Sequence, residues 1–268
     1  MNKKRLYWNS CSFLDDESII DSTSVLSEIF DNTGSRSYKA SIGGSSNEAI
    51  FRRTLIDNSK NQFDFALIAW SYPERFFITD IYNDLSYDEL RKDGDRQFFA
   101  TKWDESMYGY CNRIPYHNDG QAEVLKLEPK GTDDTIFYTI SLHNFFKQKG
   151  IPHLFLNMGK LDSNVLWARE SWLDGIDSKN YLSLNANDSI LEKMQFSFVE
   201  HFLKLGGNQL INDKDVSVLK KIHKIDNLFE LENTNPYTTD IAGHLSKLGY
   251  EMLSDYIYKH IIENNLVL

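Results

Sequence analysis

Two short runs constrain this chain more than anything else in it. Phe65-Ala66-Leu67-Ile68-Ala69-Trp70 is apolar at every position, and His153-Leu154-Phe155-Leu156 is nearly so. A strand with one face in water alternates apolar and polar residues. A run without that alternation predicts a strand covered on both faces, as in a parallel sheet between helices. A shorter run, Leu6-Tyr7-Trp8, reads the same way. Helical spacing lies between these runs. It predicts helices over 17–30 (Ile19, Ile20, Leu26, Ile29, Phe30), 46–57 (Ala49, Ile50, Thr54, Leu55) and 133–149 (Ile136, Ile140, Phe145, Phe146). The third stops at Gly150 before Pro152, a glycine-then-proline ending that leads directly into a strand. A last helix begins near Ser246 and is expected to bury Leu248, Met252, Leu253, Tyr256, Ile257 and Ile261, which recur at helical spacing. Strand and helix in alternation predict an open α/β sheet with helices on both faces.

One α/β domain is expected over 1–268. Residues 78–131, rich in Asp, Tyr, Arg and Gly and weakly periodic, read as an insertion capping one end of the sheet. Residues 160–235 are ambiguous apart from an expected helix at 189–205. A chain of 268 residues needs no staples. Its 41% hydrophobic and 13% aromatic content, with 5 prolines and 14 glycines, excludes disordered and collagen-like classes. Charge sums to −10, from 29 basic and 39 acidic side chains. Such a field repels polyanions, so neither nucleic acid nor an anionic membrane is an expected partner. Cys11 and Cys111 make no disulfide framework and no paired-cysteine metal motif. No stretch approaches 18 apolar residues, and the basic start Met1–Arg5 turns polar again at Asn9-Ser10. The expectation is a soluble cytoplasmic protein, or one that leaves the cell on a particle.

In an open α/β sheet, ligands bind beyond the carboxyl ends of the strands. Four segments there carry candidate chemistry. Asn9-Ser10-Cys11-Ser12-Phe13 follows the first strand, where a serine on a tight turn can expose its hydroxyl; it also reads as a plain polar turn. Ile42-Gly43-Gly44-Ser45-Ser46-Asn47 opens a helix. Its glycines let backbone N–H groups approach a ligand, and Ser46 or Asn47 equally suits a helix cap. No Gly-Lys-Ser/Thr follows, so it is not a phosphate loop. Trp70-Ser71-Tyr72-Pro73-Glu74-Arg75 follows the second long strand and offers a pocket rim. Thr238-Thr239-Asp240-Ile241-Ala242-Gly243-His244-Leu245-Ser246 sets a histidine just ahead of the last helix, where it can serve a serine as general base. The other histidines show no metal-ligand spacing, so no metal is expected.

Taken in order, these segments resemble the SGNH (GDSL-like) hydrolase family, a three-layer flavodoxin-like α/β fold with a central parallel sheet. The closer likeness is to a divergent branch found in bacteria and phages, whose first motif reads Gly-Cys-Ser-Phe-Thr and whose second holds Gly-x-Ser-Asn. Here these are Ser10-Cys11-Ser12-Phe13-Leu14 and Gly44-Ser45-Ser46-Asn47, with Gly243-His244-Leu245-Ser246 as the histidine block. The likeness spans most of the chain, leaving 78–131 and much of 160–235 uncovered. It implies Ser12 as nucleophile and His244 as base. It also implies an oxyanion hole from the Ser12 N–H and a backbone N–H near Gly43 and Gly44. The family's oxyanion asparagine is absent, since Trp70-Ser71 stands at its position; Asn47 and Ser71 are the candidates to replace it, with Arg75 beyond. The family's acid, three residues before the histidine, is Ile241 here, and Asp240 is one residue further away. The implied activity is cofactor-free hydrolysis of an ester, such as an O-acetyl group on a carbohydrate. The partner would be a small-molecule or glycan ester. A catalytically degenerate carbohydrate-binding or structural module stands as the alternative. A flavin or nucleotide binder fits less well, because Asp15 and Asp16 follow the first loop at once.

Overall fold

The computed structural model describes residues 4–11, 25–30, 38–41, 45–73, 97–104, 107–113, 121–185, 187–205, 245 and 247–267; of 97–104, 107–113, 121–128, 203 and 247 it describes the backbone alone. Strands β1 (Leu6–Asn9), β2 (Tyr38–Lys39), β3 (Phe65–Trp70) and β6 (His153–Asn157) form one sheet in the order β2-β1-β3-β6, and every pair is parallel. The register sets Leu6 beside Phe65 and Ala66 beside His153. All residues of β1, β3 and β6 are buried, as their unbroken apolar character predicts. The two-residue edge strand β2 was not anticipated, being too short to carry a pattern.

Each face of the sheet has its own core. Leu6, Trp8, Phe65, Leu67, Leu154 and Leu156 pack toward Leu253, Ile257 and Ile261 of the last helix, α7 (Lys247–Glu263), whereas Leu248, expected in this core, lies in the helix's first turn and is exposed. Tyr7, Ala66, Ile68, Trp70 and Phe155 pack toward Ile50 of α1 (Asn47–Lys60) and toward Ile136, Leu142 and Phe146 of α2 (Gln121–Lys149). Neighbouring strand residues thus feed opposite cores, and helices cover both faces.

The helix ends follow from local chemistry. Ser46 caps α1 by accepting from the Ala49 N–H at 3.2 Å. α2 ends on Gly150 at φ +66°, with the Gly150 N–H donating to Lys147 O and the Ile151 N–H to Phe146 O, the paired bonds of a left-handed glycine stop. Upstream, α2 begins twelve residues before the expected 133 and carries Pro129 inside it. A proline removes a donor from the helix ladder and biases the residue before it away from helix, yet α2 runs through it. The expected helix at 189–205 is two helices, α5 (Ile190–Gln195) and α6 (Phe198–Lys204). Ser197 separates them. Its hydroxyl accepts from the Glu200 N–H at 3.3 Å and donates to Met158 O at 2.7 Å. Two further short helices, α3 (Ser163–Ala168) and α4 (Glu170–Leu173), occupy the stretch that had no assignment. Of the helix expected at 17–30, the described part is a 3-10 turn at Val25–Glu28.

The expected insertion at 78–131 contributes an antiparallel hairpin, β4 (Gln97–Asp104) with β5 (Met107–Arg113), and the first turns of α2. Among the described residues no helix is long and apolar enough to cross a membrane.

Candidate functional site

The order β2-β1-β3-β6 reverses direction between β1 and β3: the chain runs from β1 out to β2, then crosses back to β3. Such a reversal opens a crevice at the carboxyl ends of the two strands, where ligands settle in sheets of this kind.

The segment leaving β3, Ser71-Tyr72-Pro73, is gripped from three directions. The Asn47 carboxamide straddles Ser71: Oδ1 accepts from the Ser71 N–H at 2.7 Å, and Nδ2 donates to Ser71 O at 3.3 Å. Nδ2 also donates to Thr135 Oγ1 at 2.8 Å, and the Thr135 hydroxyl donates to Gly131 O at 2.6 Å. At Gly131, α2 meets the backbone of Pro73 so closely that a Cβ would lie 1.7 Å from the Pro73 carbonyl oxygen. On the other side, a Cβ at Gly159 would lie 2.8 Å from Tyr72 Cα. The Met158 N–H extends the β3–β6 ladder by donating to Trp70 O at 2.9 Å. Pro73, just after β3, and Gly131, within α2, bracket residues 74–130. Their contact roots that excursion at the carboxyl edge.

After β1, β2 and β3, three serine hydroxyls lack a hydrogen-bond partner among the described residues. Ser10 follows β1, Ser41 follows β2 and Ser71 follows β3, and all three are buried. A buried hydroxyl without a partner costs about 1–3 kcal/mol. Three of them follow three adjacent strands of one sheet, at its carboxyl edge. The neighbouring Asn9 is satisfied by contrast, its Nδ2 reaching Ile50 O and Thr54 Oγ1, each at 3.0 Å. Cys11 is a free cysteine packed in the apolar core of the α7 face.

Of the residues singled out in the sequence, Asn47 and Ser71 are brought into direct contact. Ser12, Gly43, Gly44, Arg75, Asp240 and His244 lie outside the described residues. The choice of helix cap is resolved: Ser46 caps α1, and Asn47 is free to hold Ser71. Both amide hydrogens of Asn47 are spent on Ser71 O and Thr135, so its side chain works as a clamp, and the hydroxyl it holds beside it, that of Ser71, is one of the open donors at this edge. Sequence reasoning missed Ser41, Gly131, Thr135 and Gly159, and named Ser10 only as part of the first motif. One signal was available. Thr132, Thr135 and Thr139 recur at helical spacing on α2 and are all buried, a polar stripe inside an apolar face. Their hydroxyls meet the Asp162 N–H, Asn47 Nδ2 and Thr135 O respectively.

A hydroxyl held on a backbone that cannot shift is a pre-oriented donor for negative charge developing on a substrate oxygen. No protein-family model matches the chain, and no curated protein matches its sequence.

Proposed function

We propose that this chain is a serine-dependent ester hydrolase of the SGNH type, working at the carboxyl edge of β1 and β3. In this reading Ser12 Oγ attacks the ester carbonyl carbon and gives its proton to His244. The tetrahedral oxyanion takes hydrogen bonds from the Ser12 N–H, from backbone near Gly43–Gly44 and from the Ser71 hydroxyl. The alcohol leaves with the proton that His244 returns. Water, deprotonated by the same imidazole, then cleaves the acyl-serine. Asp240 orients His244, Arg75 lies at the substrate rim, and the excursion rooted at Pro73 and Gly131 covers the site. The substrate class is an O-acyl ester on a carbohydrate.

The observation that carries the reading is the Ser71 hydroxyl: buried, without a partner among the described residues, and fixed through both of its own backbone polar groups by Asn47. It stands where the resembling family has its oxyanion asparagine. The parallel order β2-β1-β3-β6 is compatible with a flavodoxin-like sandwich and supports the same reading. The test is hydrolysis of p-nitrophenyl acetate together with labelling by a fluorophosphonate. Turnover that disappears in Ser12→Ala, with the label mapped to Ser12 alone, is the expected result. The second reading, a degenerate carbohydrate-binding module, draws on the spent Asn47 amide, which leaves one oxyanion candidate fewer. Well-folded protein that neither hydrolyses the ester nor takes the label selects it.

A further inference from the structure

Trp8 and Trp70 are buried in the sheet, yet Trp167 and Trp172 are 59% and 50% exposed. The two exposed rings stand on different short helices. Arg169 closes α3 and opens α4 between them. Its guanidinium carbon lies 4.7 Å from the Trp172 ring centre. Its Nε donates to Asp133 Oδ1 at 2.7 Å, and Nη2 faces Oδ2 at 3.5 Å. These two charged side chains are 35% and 38% exposed, so the fork keeps contact with solvent. Phe137, one turn beyond Asp133 on α2, is 57% exposed. The surface thus combines flat apolar rings with a planar hydrogen-bonding group whose orientation is already set.

The surroundings decide among partners. Asp134, Asp162, Glu170 and Asp174 share these segments, while Lys130 and Arg169 are each paired with a carboxylate. An anionic bilayer or a nucleic acid meets the wrong field here. A protein interface calls for a contiguous apolar centre, whereas Asn164, Ala168, Glu170, Ser171 and Asp174 stand exposed among the rings. Separate flat faces beside a donor–acceptor fork suit a neutral sugar. Its C–H face covers an aromatic ring, and its hydroxyls accept from guanidinium and donate to carboxylate.

We infer that Trp167, Trp172 and the Arg169–Asp133 pair form a binding surface for a neutral glycan chain. The surface adjoins the candidate site. The Asp162 N–H, ahead of α3, is held by Thr132 Oγ1 at 2.9 Å, and Asp133 lies two residues before Thr135, which holds Asn47. The assignment rests on the esterase reading only where it makes that glycan the substrate.

The test uses the full chain in native gels cast with dextran, galactomannan or mixed-linkage β-glucan, and titrates the matching oligosaccharides against tryptophan fluorescence. At least one glycan should retard the protein. Trp167→Ala and Trp172→Ala should each weaken that binding tenfold or more. Arg169→Lys, which keeps the charge and loses the fork, should weaken it severalfold. All three variants should keep native circular dichroism. Absence of retardation by every glycan, or retardation that survives both tryptophan variants, overturns the inference. So does tryptophan-dependent binding to phosphatidylglycerol vesicles in place of glycan. Glycan binding that follows the predicted pattern in a protein without esterase activity retains the surface and removes the hydrolase.

Discussion

The two ends of the same sheet treat their polar atoms differently. At the amino end of β6, a dense set of buried polar groups is almost fully paired. His153 Nδ1 donates to Ile151 O at 3.0 Å and its Nε2 accepts from His143 Nδ1 at 2.9 Å. Asn180 Nδ2 donates to His153 O, Lys193 Nζ to Ser178 O and His260 Nε2 to Lys179 O, at 2.7, 2.8 and 2.7 Å. His143 Nε2 is the exception, without a well-formed hydrogen bond among the described residues. At the carboxyl end, Ser10, Ser41 and Ser71 all lack partners among the described residues. Buried polar atoms that serve only the fold find partners within it. An edge that leaves several unpaired, on a backbone clamped by Asn47, Gly131 and Gly159, is arranged for something the chain itself does not supply.

The largest expected effect falls on the clamp. Gly131→Ala drives a methyl into the Pro73 carbonyl, 1.7 Å away, and backbone must move to relieve it. The gain in helix propensity, about 1 kcal/mol, is outweighed. We expect a loss of about 3 kcal/mol or more in urea unfolding, together with loss of ester hydrolysis. Wild-type stability for this variant would show that the carboxyl edge is soft and would break the contrast from that side. A comparable effect comes from acid at the other end. Burial is the main cause lowering the His153 pKa from 6.5 to about 4, with His143 and Lys147 adding to it, and burial also lowers that of His143. The unfolded chain therefore takes up protons that the native pair refuses. Stability contributed by the pair is complete above pH 6.5 and falls as the pH drops toward 4, by roughly 3 kcal/mol for His153. Unfolding midpoints from pH 7.5 to 4 should fall, and the His153 ring proton should titrate near 4. A His153 resonance titrating near 6.5 would remove the buried pair from the account. Next in size, Asn180→Ala leaves His153 O unpaired and should cost about 2 kcal/mol by the same unfolding measurement.

The sheet was legible because three apolar runs carry their burial in plain composition. β1, β3 and β6 fall within a residue of where Leu6–Trp8, Phe65–Trp70 and His153–Leu156 predicted them. The glycine stop at Gly150 was equally local. What escaped reading depends on distance in space. The early start of α2 hid behind Pro129, and the break at Ser197 answers to Met158 O, 39 positions away in sequence. At the candidate site, Asn47 and Ser71 stood out as separate hydrogen-bonding residues, but periodicity has no means of showing that one holds the other across 24 positions. Gly131 and Gly159 read as ordinary glycines until the backbone each one admits is seen beside it.

The smallest change in stability is the one that bears most directly on the contrast. Ser10→Ala, Ser41→Ala and Ser71→Ala each delete a buried hydroxyl that has no partner among the described residues, so no described hydrogen bond is lost. Each variant should match the wild type in urea unfolding, or exceed it by up to about 1 kcal/mol, because the uncompensated burial of the hydroxyl disappears. A structural hydroxyl does the reverse, since removing it strands its partner. Activity should separate from stability at Ser71 alone. If its hydroxyl meets the oxyanion, Ser71→Ala should lower kcat on p-nitrophenyl acetate about a hundred- to a thousandfold with KM little changed, because the hydrogen bond strengthens only as charge develops on the oxygen. Ser71→Thr, which keeps the hydroxyl on the same clamped backbone, should recover much of that loss. Destabilisation by all three alanine variants, or unchanged turnover in Ser71→Ala, would mean that the hydroxyls at this edge belong to the fold, as the groups around His153 do.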